Sequence, residues 1–105
     1  MDTLNRRGEG FEREFSHQEE LRFKARARRN RMLGAWAGGK LGLEGQALQD
    51  YAAALVTRGL VIADDEALAA ELAKTLQPHD ISLHRVRRHM ETFAAEAAAE
   101  LQAGG

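Results

Sequence analysis

The sequence predicts an all-α protein, an antiparallel four-helix bundle with a mobile N-terminal arm. Three observations lead there. Alanine is abundant while aromatics make up 6% of the 105 residues and proline occurs once, a composition that favours helix over sheet. Four stretches place apolar residues three and four positions apart. Glycine or proline lies between successive stretches, at spacings that leave only short connections, as a bundle requires.

The first ten residues contain Gly8, Gly10 and an Arg6-Arg7 pair with little apolar content, and are expected to be mobile. A long helix follows, from about Phe11 or His17 through Lys40. Its stripe is Phe23, Ala27, Asn30, Gly34, Ala37 and Leu41, flanked by Met32, Leu33 and Trp36. Gly38, Gly39 and Gly42 are expected to end it, since glycine is a poor helix former and readily takes left-handed cap geometry.

The second helix carries Leu48, Tyr51, Ala52, Leu55 and Val56 on one face, with Gly59 as its stop. The next residues, Gly59-Leu60-Val61-Ile62, have strand-like composition but no partner strand, so they are expected to form an apolar loop plugging the bundle. A third helix opens at Asp64-Asp65-Glu66, acids suited to the positive helix end. It places Leu68, Leu72 and Leu76 in register and stops before Pro78. The fourth, capped by Asp80 or Ser82, runs Leu83, Val86, Met90, Phe93, Ala94, Ala97 and Leu101, the cleanest amphipathic stripe of the chain. Gly104 and Gly105 are expected to fray.

Bulk properties narrow the function classes. A formal net charge of -1 lacks the basic excess of a general nucleic-acid binder. Cysteine is absent, which removes disulfides and thiolate zinc sites and is compatible with a reducing cytoplasm. No apolar run approaches the roughly 20 residues of a membrane span, and the polar N-terminus is not a secretory signal.

Catalytic motifs are missing. His17-Gln18-Glu19-Glu20 superficially resembles a metalloprotease helix, but Leu21 stands where the second histidine ligand belongs. His79, His84 and His89 recur every five residues, which turns successive side chains about 140° apart on a helix, wrong for shared coordination. They are read instead as part of a solvated basic face with Arg85, Arg87 and Arg88. Gly38-Gly39-Lys40 is only a fragment of a phosphate loop, and nothing local sets a nucleophile beside a base. The expectation is a protein that is not an enzyme and takes no metal or cofactor.

Binding features are stronger. Acids dominate from Glu12 to Glu20, and from Arg22 to Arg31 there are six basic residues and no acid. The basic block has two readings: an arginine-rich helix that holds RNA phosphates, or a structural element whose charges pair with acids of the other helices or of a partner. The net charge favours the second. Ahead of the charge switch Phe11 and Phe15 sit one helical turn apart, as anchors of a helix that docks in a groove.

The run Phe11-Glu12-x-x-Phe15-x-His17-x-Glu19-Glu20-Leu21-x-Phe23-Lys24-Ala25-x-Ala27-Arg28-Arg29-Asn30-x-x-Leu33-Gly34-x-Trp36-Ala37 resembles the ζ subunit family, natural inhibitors of the F-type ATP synthase in alphaproteobacteria. The likeness continues more loosely through Leu41-Gly42, Gly45 and Tyr51-Ala52, and beyond Gly59 is carried by helix spacing. It implies a four-helix fold whose N-terminal segment enters the enzyme's head between catalytic and non-catalytic subunits beside the rotor. There the segment becomes helical and stops hydrolytic rotation while permitting synthesis. Residues 1–16 would be the mobile inhibitory arm and 17–105 the four-helix domain. Partner-binding positions implied by the resemblance are Leu4, Arg7, Phe11, Glu12, Glu14, Phe15, His17, Glu19, Glu20 and Phe23. The implied protein is a cytoplasmic monomer when free, peripherally associated with the inner membrane through the ATP synthase, without nucleic acid or direct membrane insertion.

The chain departs from that family pattern at Leu4, where an aromatic is usual, and at Gly8 and Gly10, where helix formers are common. The two glycines together would penalise helix formation by about 2 kcal/mol, roughly thirtyfold in affinity. An alternative is therefore a member that keeps the fold and has lost strong inhibition. In place of the usual acidic stretch after the second helix the chain has Gly59-Leu60-Val61-Ile62-Ala63.

Overall fold

The computed structural model describes the backbone from Asp2 to Ala103 and side chains from Ser16 to Ala103; the expected fraying at Gly104 and Gly105 lies outside these residues. Among them are four α-helices, α1 (Asp2–Lys40), α2 (Gly45–Val61), α3 (Asp65–Leu76) and α4 (Leu83–Gln102), with a 3-10 turn at Gln77–His79 and no strand. The all-α expectation holds. The first helix packs against α2 and α4, α3 packs against α4, and α1 also touches α3.

At 39 residues, α1 starts earlier than the Phe11 or His17 read from the sequence. It ends at Lys40 as expected, with Gly38 and Gly39 still helical. The stop is Gly42, which takes φ +84°. Gly42 N donates to Gly39 O (3.1 Å) and Leu43 N to Gly38 O (2.9 Å), the paired bonds of a Schellman cap. Gly38 serves packing instead: a Cβ there would lie 2.6 Å from Leu48 Cδ1.

Gly59 likewise does not stop α2, which continues to Val61. It is buried, and a Cβ at this position would fall 2.1 Å from Asn30 Nδ2, so its missing side chain makes room for Asn30 of α1. Gly34 makes the matching close approach from α1, where a Cβ would lie 2.7 Å from Ala52 Cα. The expected apolar plug is corrected by the same finding. Leu60 and Val61 form the last turn of α2 and are largely exposed, and only Ile62 packs on the core. A strand-like composition lost to helix propagation from the packed turns before it.

The start of α3 follows its sequence signal, with the Asp64 carboxylate accepting from Glu66 N (2.9 Å). Leu68, Leu72 and Leu76 are all buried. Of the two candidate caps for α4, Ser82 takes the role, its hydroxyl accepting from Arg85 N (3.2 Å). Asp80 instead adopts φ +59° behind the 3-10 turn, a left-handed conformation that aspartate tolerates better than most residues. The core joins Leu33 and Ala37 of α1 to Leu55, Leu68, Leu72, Leu76, Ile81, Val86 and Met90.

Candidate functional site

The most informative surface is α1 between Ser16 and Arg31, where one helix leaves the packed domain. Ser16, His17, Gln18, Glu19 and Glu20 are all exposed, so no side of the helix is covered there. Its ionic contacts are local. Arg22 donates to Glu19 (2.8 Å) and Lys24 Nζ lies 3.2 Å from Glu20, pairs three and four residues apart that support a bare helix by about 0.2–0.5 kcal/mol each.

Burial begins at Ala25 and Arg26. The Arg29 guanidinium, nearly buried, donates Nη1 to Asp65 Oδ2 (2.9 Å) and Nη2 to Asp65 Oδ1 (2.9 Å), a two-pronged pair. Its Nε and Nη2 also donate to Asn30 Oδ1 at 3.1 and 2.9 Å. From the turn before, Arg26 donates to Asp65 Oδ1 (3.1 Å) and to the Ala63 carbonyl, while its Nε is buried without a partner. The hydrogen bonds from Arg29, the larger cause, together with the nearby charges of Arg29 and Arg26, lower the Asp65 pKa below that of an ordinary aspartate against a smaller opposing effect of burial. Arg28 reaches Glu100 of α4 at 3.8 Å. Five of the six residues in the basic block thus pair with this chain's own carboxylates, the structural role weighed against phosphate binding. Arg31 has no ion-pair partner among the described residues and is exposed.

Of the expected partner-binding residues, Leu4, Arg7, Phe11, Glu12, Glu14 and Phe15 have side chains outside the described residues. His17, Glu19, Glu20 and Phe23 stand on the exposed part of α1, with Phe23 one turn beyond both glutamates. Phe23, placed in the apolar stripe by spacing, is 55% exposed, so the buried part of that stripe starts after it. Beside it a groove opens between α1, α2 and α4, lined by Phe23, Lys24, Ala27, Arg28, Arg31, Val56 and Leu101. Sequence periodicity gave Val56 and Leu101 to the core, and nothing in the pattern marked them as groove walls. Both are half-buried here.

The reading of the three histidines as one solvated face needs correction at His89. His79 and His84 are exposed. The His89 ring stacks on Trp36, centroids 4.0 Å apart, and lies 5.8 Å from Phe93, with Nδ1 2.9 Å from Arg85 O. It is a packing contact between α1 and α4. Among the described residues no group of three or more His, Asp or Glu side chains is placed to hold a metal ion. No described helix is long and apolar enough to cross a membrane.

A family model described as ATPase inhibitor subunit zeta matches residues 1–100. The chain belongs to the ATPase inhibitor subunit zeta family. The match covers the N-terminal helix and the packed domain together, in agreement with the resemblance carried by Phe11 through Ala37. An inhibitor subunit is a regulator of an ATPase, which accords with a chain whose distinctive surface is a projecting helix. Neither the search of curated proteins nor that of solved structures gave a match.

Proposed function

We propose that this protein regulates the F-type ATP synthase without being an enzyme, by binding the catalytic head and blocking ATP hydrolysis. Residues 1–16, the arm, enter between catalytic and non-catalytic subunits beside the rotor. Phe11 and Phe15 are its apolar anchors, aided by Leu4, while Arg7, Glu12 and Glu14 pair with charged rims of the cleft. His17, Glu19, Glu20 and Phe23 sit at its mouth. The inserted helix blocks hydrolytic rotation and lets synthesis proceed.

The observation that carries this reading is the family match, which takes in the arm as well as the domain. The exposure of Ser16 through Glu20 supports it, since a helix with no covered side is free to enter a partner. Residues 17–105 act as the anchored domain, read as an antiparallel bundle. That reading is supported by Trp36 meeting His89 while Arg28, earlier in α1, lies 3.8 Å from Glu100, later in α4.

ATP hydrolysis by the purified head of the same cell is titrated with the full chain and with a version lacking Met1–Phe15. Inhibition by the full chain alone is expected. A truncated chain that inhibits equally well removes the arm from the mechanism. Failure of both, with the domain folded, identifies a member that keeps the fold and has lost inhibition, and gives Gly8 and Gly10 as the first positions to convert to alanine.

A further inference from the structure

The exposed large hydrophobic side chains of the described residues are Leu21, Phe23, Leu60 and Val61. Leu21 and Phe23 lie where α1 leaves the domain. Leu60 and Val61 end α2, next to the corner where Arg26 bonds the Ala63 carbonyl, so both pairs belong to the same end of the molecule. The groove beside Phe23 opens there too. It is lined by apolar Phe23, Val56 and Leu101 and by Lys24, Arg28 and Arg31; Lys24 and Arg28 pair with Glu20 and Glu100, which leaves Arg31 as the lining cation without an ion-pair partner among the described residues. Such a surface fits an acidic segment that presents an apolar side chain.

We propose that this groove is a second docking surface, one that holds an acidic, apolar-tipped segment on the outside of the ATP synthase head next to the cleft that takes the arm. The proposal rests on the arm-insertion reading above. Its occupant follows from geometry and charge. Phe15 and Ala27 are twelve residues apart on one helix, about 18 Å. A head that encloses the arm as far as Phe15 therefore ends within about 18 Å of the groove. Charge reverses along α1 between Glu20 and Arg22, and Arg31 keeps a charge with no ion-pair partner among the described residues, so a matching partner surface is basic around Glu12 and Glu14 and acidic opposite Arg31. That match favours one depth of entry, because a shift along the helix axis separates Arg31 from its carboxylate.

The test uses full-length Arg31→Glu and Leu101→Ala chains, with Arg31→Gln as the milder substitution should the charge reversal impair folding. Melting temperature is recorded for each, followed by inhibition of ATP hydrolysis by the purified head at low and high salt, and by the sedimentation mass of each chain alone. Arg31→Glu is expected to raise the half-inhibitory concentration about tenfold at low salt, with a smaller difference at high salt. Inhibition should still become complete, because the arm is intact. Leu101→Ala should weaken inhibition by a similar factor at both salts. Folded variants that inhibit within twofold of the native chain overturn the groove while leaving arm insertion standing. A dimer of the native chain that Arg31→Glu dissociates would assign the groove to a second copy and also overturn it. A native chain that does not inhibit removes both readings.

Discussion

Two parts of α1 carry the same kinds of residue and meet opposite fates. Between Ser16 and Lys24 arginine, lysine and glutamate pair within the helix, and the Arg22 side chain stays 74% exposed. Two turns later Arg29 is 9% exposed and joins α1 to Asp65 at the start of α3. Residues of one chemistry, seven positions apart, are in one case helix decoration and in the other a tertiary lock. Which role falls to which is decided by what stands opposite. The α2–α3 corner covers Arg26 and Arg29, and nothing covers Glu19 or Arg22.

Core truncation should break the comparison most strongly. Leu33→Ala, at a fully buried position, is expected to cost about 3 kcal/mol and lower the melting temperature by roughly 10 °C or more, whereas Leu21→Ala should change it little. Comparable loss in the two would mean that the exposed part of α1 is packed in solution.

Arg29→Met comes next, at about 2 kcal/mol, since it strands Asn30 Oδ1 and removes both bonds to Asp65. The same lock predicts a pH dependence. Asp65 has a lowered folded-state pKa, so its contribution is present above the unfolded value and disappears as pH falls through the folded one, a window starting near pH 4 and extending downward. Arg29→Met should flatten that part of the stability curve, measured by denaturant unfolding between pH 2.5 and 6 (about one to two units either side of the reference value). An unchanged slope would exclude the Arg29–Asp65 pair as its source.

Phe15→Ala sharpens the contrast by acting on binding alone. It should weaken inhibition by on the order of 2 kcal/mol, about thirtyfold, with no change in melting temperature. A lowered melting temperature would make Phe15 part of the core. The smallest effect belongs to Arg22→Ala, which loses a local pair with Glu19 and should cost no more than about 0.5 kcal/mol by thermal melting.

Element identity was largely legible in the chain. Leu68, Leu72 and Leu76, and the run from Val86 to Ala97, carry strong helical periodicity, and Asp64 and Ser82 sit at the starts they cap. Glycine is an ambiguous stop signal. It favours helix ends, yet Gly38, Gly39 and Gly59 stay inside helices, and Gly38 and Gly59 are small so that Leu48 and Asn30 can approach. A glycine required by a neighbour looks the same in sequence as one required by a turn. At the candidate site, the charge switch and the aromatic pair were visible because they are consecutive. The groove was not, because its walls come from three helices.

The sequence by itself determined the all-α character, the main helical faces and the sorted charge of α1, since propensity, periodicity and charge order are local properties of a chain. Tertiary structure decided which basic residues are locks and which are solvated, that His89 stacks on Trp36, and that Phe23, Val56 and Leu101 share one groove. These depend on which side chains from distant segments lie opposite one another, and periodicity along one helix carries no record of its neighbours.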